Sequence, residues 1–154
     1  MILTDLVNKL DSVDEQLIRL VQWDGRQSSE KLAKSLNVSA TTVRRRLRTL
    51  IRGGVLRIAA LADVQKAGFP FVTLITLDVE HGKVETAAEL LAAHQRVTWV
   101  SITTGRFNIV GLGVFRSAEE LSSFLQTELP KMQGIRNVET LVCLDVKKGH
   151  YMVI

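Results

Sequence analysis

Ser39-Ala-Thr-Thr-Val-Arg-Arg-Arg-Leu-Arg-Thr-Leu-Ile-Arg-Gly-Gly54 decides how the first third of the chain folds. Wound at about 100° per residue, it places Val43, Leu47, Leu50 and Ile51 at i, i+4, i+7 and i+8, an apolar stripe that must bury against other elements. Thr41, Arg45, Arg48 and Arg52 fall opposite. Arg44 and Arg46 flank the stripe, where they reach phosphates or fold back over the core edge with their methylene stems packed. Ser39 is the expected cap of the first turn, and the Gly53-Gly54 pair supplies a left-handed exit that other residues resist.

Working backwards, Ser29 to Leu36 reads as a short helix with Leu32, Ala33 and Leu36 inward, and Asn37-Val38 makes the turn into the arginine-rich helix. Ser12-Val-Asp-Glu15 reads as a capping box opening a first helix whose buried face is Leu17, Ile18 and Val21. The spacing is that of a helix-turn-helix. Val55 to Ala62 reads as a strand, which would make the module winged.

Charge is segregated along the chain. Residues 1–62 hold 11 Lys+Arg against 6 Asp+Glu, and residues 63–154 hold 9 against 10. A run of charge is ordinarily a solvated helix face, but concentration of the positive charge on one module is what release of counterions from a phosphate backbone requires. Duplex DNA is the expected partner, through Ser39, Thr41, Thr42, Arg44, Arg45, Arg46, Arg48 and Arg52.

The 154 residues, 46% of them hydrophobic, with a mean hydropathy of +0.15, suit two small domains or one medium one, with a well-stocked core. No apolar run approaches the length of a membrane span, and Met-Ile-Leu-Thr-Asp-Leu6 lacks the basic and apolar segments of a leader, so a cytoplasmic location is expected, with no membrane partner. Cys143, the single cysteine, reads as a buried small hydrophobe. Trp23 and Trp99 read as core anchors, since neither is interleaved with basic residues as a single-strand binder would need.

Periodicity changes after the low sixties. The expected division is a DNA-binding domain over 1–62, a linker over 63–68 and a second domain over 69–154. In the latter, Phe69 to Glu80, Val97 to Thr104, Phe107 to Phe115 and Arg136 to Lys147 read as strands, and Val84 to His94 as a helix. Ser117-Ala-Glu-Glu120 caps a further helix carrying Leu121, Phe124, Leu125 and Leu129. Gly105 turns a hairpin. The order is βαββαβ, a ferredoxin-like unit, so the fold class is α+β. Two of these strands are apolar on both alternations, Phe71, Ile75 and Leu77 against Val72 and Leu74, and Ile109 and Phe115 against Val110, Leu112 and Val114. Two helices cover one face only, so a second copy of the domain is expected on the other, and a homodimer also suits paired half-sites. Gly111 and Gly113, on one face of a strand, mean either close approach of a partner backbone or a curved strand.

With these elements in place the chain resembles the Lrp/AsnC family, the leucine-responsive or feast/famine transcriptional regulators. The resemblance covers nearly the whole length and rests on Leu10-Asp-Ser-Val-Asp14, Asp24-Gly-Arg26, Leu32-Ala-Lys34, Ser39-Ala-Thr-Thr-Val43 with Arg46 and Leu50, Gly54-Val55, and Thr104-Gly105 in the hairpin. It implies a winged helix-turn-helix, a C-terminal effector-sensing domain, amino acids as effectors, and dimers that associate into rings, often octamers. The family commonly has an aspartate three residues after the hairpin glycine, where this chain has Asn108, a neutral amide in place of a charged partner for an ammonium group. Thr103, Thr104, Gly105, Arg106 and Asn108, with Thr140 of the last strand as a neighbour, are the expected effector contacts. The alternative is an ordinary hairpin whose polar residues face water, in a regulator or architectural protein that senses nothing.

Ferredoxin-like domains also host enzymes, and siroheme decarboxylase subunits share this architecture. His81, His94 and His150 have neither metal-ligand nor acid-base spacing, so no catalysis, metal or cofactor is expected.

Overall fold

The computed structural model describes residues 10–149 and 151–153. His150, the first nine residues and the leader reading made on them lie outside these. The chain forms two compact units, one ending at Ala59 and one beginning at Ala60.

The first unit holds three helices, α1 (Ser12–Trp23), α2 (Ser29–Leu36) and α3 (Ala40–Arg52). Leu17, Val21, Leu32, Ala33, Val43 and Leu50 form its core, with Leu47, Val38, Val55 and Leu56 packed around them. The stripe of α3 is therefore Val43, Leu47 and Leu50, whereas Ile51, expected on it, is 44% exposed, one step too far around the helix. The cap of α1 is also one residue earlier than expected. Asp11 accepts from the Asp14 amide and the Asp14 side chain from the Asp11 amide, at 2.9 and 3.4 Å.

No strand forms over residues 55–61, so the wing anticipated from Val55 to Ala62 is absent from the described residues. The segment has strand-forming side chains, but a strand needs a ladder partner, and the described residues of this unit supply none. Ala62 instead opens β1 (Ala62–Asp63), which pairs with β6 (Tyr151–Met152) in the second unit.

The second unit is built on β2 (Phe71–Val79), α4 (Val84–Ala92), β3 (Val97–Ile102), β4 (Ile109–Phe115), α5 (Ala118–Thr127) and β5 (Ile135–Val142). This is the βαββαβ order read from the sequence. The strands form an antiparallel sheet in the order β3-β4-β2-β5. On its helical side Ile75, Leu77, Ile109 and Phe115 pack against Ala87, Leu91, Leu121 and Phe124. Gly111 and Gly113 face this core. A Cβ at Gly111 would lie 3.0 Å from Leu91 Cδ2, and one at Gly113 would lie 2.7 Å from Phe115 Cε2. The close approach is made by side chains of the chain itself. Val64, on the segment read as a linker, is buried with Phe69, Val72 and Val114 over one end of the other face, where Cys143 also packs.

The remainder of that other face carries an apolar row across all four strands. Trp99 pairs with Leu112, Leu112 with Leu74, and Leu74 with Leu141. Trp99 is 52% and Leu141 57% exposed. Neither tryptophan anchors a core in this chain, because Trp23, at the end of α1, is 91% exposed. Composition carried no information about which face each indole would occupy.

Candidate nucleic-acid interface

Two hydroxyl caps and a left-handed turn fix the second and third helices. Ser28 accepts from the Lys31 amide at 3.2 Å. Asn37 adopts φ 51° and ends α2, a conformation that an asparagine tolerates better than most residues. Ser39 then accepts from the Thr42 amide at 3.1 Å, and its hydroxyl lies 2.9 Å from that of Thr42. These two hydroxyls therefore serve the cap and each other. Thr41, between them, is exposed. At the far end Gly54, at φ +70°, supplies the left-handed exit expected of the glycine pair.

The arginines of α3 divide into three kinds. Arg46 points at α1, where Nη1 meets Asp14 and Nη2 meets Asp11, both at 2.8 Å, with the side chain 21% exposed. Its Nε is buried without a hydrogen-bond partner among the described residues. The Asp14 amide and the Arg46 guanidinium together hold the Asp11 carboxyl below its ordinary range. Arg46 was expected among the DNA contacts, and the structure places it in a tie between helices, the second of the two poses open to a residue flanking the stripe. Arg44 is paired with Glu30 of α2 at 3.2 Å, both groups largely exposed. Arg45, Arg48 and Arg52 are exposed and meet no carboxylate among the described residues. They lie, with Thr41, on the face opposite the stripe, as the helical spacing requires.

The hairpin of the second unit is different. Gly105 makes its turn at φ +111°. Thr103 Oγ1 donates to the Phe107 carbonyl at 2.9 Å. Asn108 Oδ1 accepts from the Val79 amide at 3.0 Å while Nδ2 donates to the Val79 carbonyl at 2.7 Å. That amide closes the end of β2, so its polar groups are already engaged inside the chain. Arg106 reaches Glu139 of β5 at 2.8 Å. Thr104 and Gly105 are exposed. Thr140 is not with them. It sits opposite Ile75, on the helical side of the sheet, and lines a groove with Leu125, Leu129, Met132 and Val138. Arg106 and Thr140, expected as neighbours, are separated by the sheet, because Glu139, which Arg106 meets, and Thr140 point to opposite faces of β5.

His94 has its Nδ1 accepting from the Arg96 amide at 3.1 Å and its ring edge against Phe124, and burial pushes its pKa down. Among the described residues no group of three metal-ligating side chains converges, and no helix is long and apolar enough to cross a membrane. Four functional partners went unread in the sequence. Asp11 and Asp14 had a signal, a carboxylate pair at i, i+3 on the turn facing α3, while Glu30 and Glu139 had none, since each is matched to its arginine only through the fold.

The first unit matches the AsnC-type helix-turn-helix domain over residues 10–51, and the second matches the Lrp/AsnC ligand binding domain over residues 72–153. An uncharacterised HTH-type transcriptional regulator of Pyrococcus abyssi is 39% identical over 93% of this chain and 91% of its own length. One of Pyrococcus furiosus is 38% identical over 92% and 97%. Among solved structures, E. coli AsnC superposes with a TM-score of 0.80 at 22% identity, covering 91% of this chain and 95% of its own. A transcriptional regulator of Neisseria meningitidis solved with L-methionine gives 0.81 at 20% identity, covering 92% and 94%.

Proposed function

The chain belongs to the Lrp/AsnC family of transcriptional regulators, and from that premise we propose that α3 reads duplex DNA with Thr41, Arg44, Arg45, Arg48 and Arg52. The observation that carries this is the set Arg45, Arg48 and Arg52, three exposed guanidiniums on one capped helix with no carboxylate partner among the described residues. A structural face would neutralise such charges locally, as the same helix does at Arg46. Selection of bound sequences from random DNA tests the reading. A recovered consensus is expected, and recovery of unenriched sequence would overturn it.

The working unit we propose is a homodimer through the open face of the sheet, because the row Trp99, Leu112, Leu74 and Leu141 leaves a contiguous apolar surface. In sedimentation the full chain runs as a dimer or larger, and Leu141→Asp shifts it toward monomer. A wild-type monomer at micromolar concentration would contradict the proposal.

The proposed effector is an amino acid, the ligand class seen in the regulator solved with L-methionine. The exposed Arg106–Glu139 pair offers opposite charges suited to a zwitterion, with the neutral Thr104 and Gly105 beside it, whereas the amide of Asn108 is spent on Val79. Calorimetric titration with the twenty amino acids tests this. Heat from at least one is expected, and none from any would remove the effector.

A further inference from the structure

Arg44 fits neither of the other two groups of arginines on α3. It meets a carboxylate from a neighbouring helix, as Arg46 does, yet its side chain is 53% exposed and that of Glu30 is 64% exposed. An ion pair so open to water contributes almost nothing to stability. Its geometry is specific all the same. Nη2 is 3.2 Å from Glu30 Oε1, and Nε donates to the Ala40 carbonyl at 3.4 Å. Nε and Nη2 are the two donors along one side edge of the guanidinium plane. With that edge occupied, the outward end of the fork, Nη1 together with the second proton of Nη2, carries the remaining donors.

We propose that Glu30 is a positioning residue for base recognition, holding Arg44 by its side edge so that the end of its fork meets O6 and N7 of a guanine in the major groove. The outward pair of parallel N–H groups is the shape that matches those two acceptors. An unrestrained arginine beside a duplex also has phosphates within reach, and these carry no sequence information. A carboxylate fixed at the side edge disfavours that alternative, because a phosphate taken there would place two anions against each other. Glu30 therefore trades non-specific affinity for specificity at one base pair. This rests on the reading of α3 as the DNA-contacting helix.

The test uses the full chain and the consensus recovered by selection, with binding measured to that sequence, to its single-base variants and to unrelated duplex, for wild type, Glu30→Gln, Arg44→Ala and the double variant. Arg44→Ala should abolish preference at one G·C pair. Glu30→Gln should reduce preference at that same pair by roughly fivefold or more, while tightening binding to unrelated duplex and steepening its salt dependence by up to about 1. In the Arg44→Ala background Glu30→Gln should leave that preference unchanged. Thermal unfolding of Glu30→Gln should match wild type, which separates positioning from loss of fold. Preference at every position surviving Glu30→Gln intact, with or without tighter overall binding, would overturn the positioning role alone. Absence of any sequence preference in the wild-type chain would overturn the DNA-reading assignment and the positioning role with it.

Discussion

The recognition helix and the β3–β4 hairpin both present a cluster of polar residues around a capped or glycine-turned element, but the two clusters are engaged differently. On α3, Arg45, Arg48 and Arg52 are left over once the core, the cap and the Arg46 tie have been satisfied. At the hairpin, Thr103 and Asn108 donate to and accept from the chain's own backbone, and Arg106 has Glu139. Polar side chains left without internal partners on a rigid element are available to a ligand. Those already satisfied hold the element in shape, and a ligand must displace something to use them.

The largest expected effect lies at Asn108. Its amide closes two backbone groups of Val79 at once, so Asn108→Ala should cost about 2–3 kcal/mol in unfolding of the second unit. A denaturation midpoint unchanged from wild type would show that water replaces the amide, and the contrast between hairpin and helix would weaken. Next comes Arg46. Arg46→Met leaves Asp11 and Asp14 facing each other without a cation, and should destabilise the first unit by about 1–2 kcal/mol, whereas Arg45→Ala should stay within about 0.5 kcal/mol of wild type. Equal losses in the two variants would erase the distinction between the tie and the exposed face.

Much of the fold was readable where a period or a cap decides it, although the cap of α1 is Asp11 rather than Ser12 and Ile51 falls outside the stripe. Val43, Leu47 and Leu50 follow from helical spacing, Ser39 and Gly54 from capping chemistry, and the βαββαβ order from alternation. What depends on a partner distant in sequence was not. Arg46 sits beside the stripe in the same way as Arg44, and only Asp11 and Asp14, more than thirty residues earlier, separate the two roles. Val55 to Ala62 read as a strand, but among the described residues no ladder forms over 55–61 to make them one. For the same reason, which face of the sheet Glu139 takes and which Thr140 takes emerges only from the register of β5 with β2.

A smaller effect is expected inside the sheet. The Thr73 hydroxyl is buried without a hydrogen-bond partner among the described residues, in a position flanked by apolar side chains. Thr73→Val should raise stability by about 1 kcal/mol, read as a higher melting temperature. A fall would mean that the hydroxyl is satisfied by water.

The smallest concerns pH. Asp11 has a folded pKa below its ordinary value of 3.8. Its contribution is therefore complete above that value and is lost as pH falls through the lower folded one. Stability of the first unit should decline slightly on acidification below about pH 4, and Asp11→Asn should flatten that part of the profile. A profile identical in both proteins would sever Asp11 from the Arg46 tie.

The salt dependence of binding to the selected sequence tests the central claim most directly, with Arg45→Ala and Arg48→Ala compared with wild type and each variant's unfolding followed in parallel. If these side chains are the surplus that α3 offers to DNA, each loss weakens binding by about 1–3 kcal/mol where it removes a base contact, or lowers the salt slope by about 1 where it removes a phosphate contact. Unfolding should be unchanged in both. Affinity and slope equal to wild type in both variants would contradict the account.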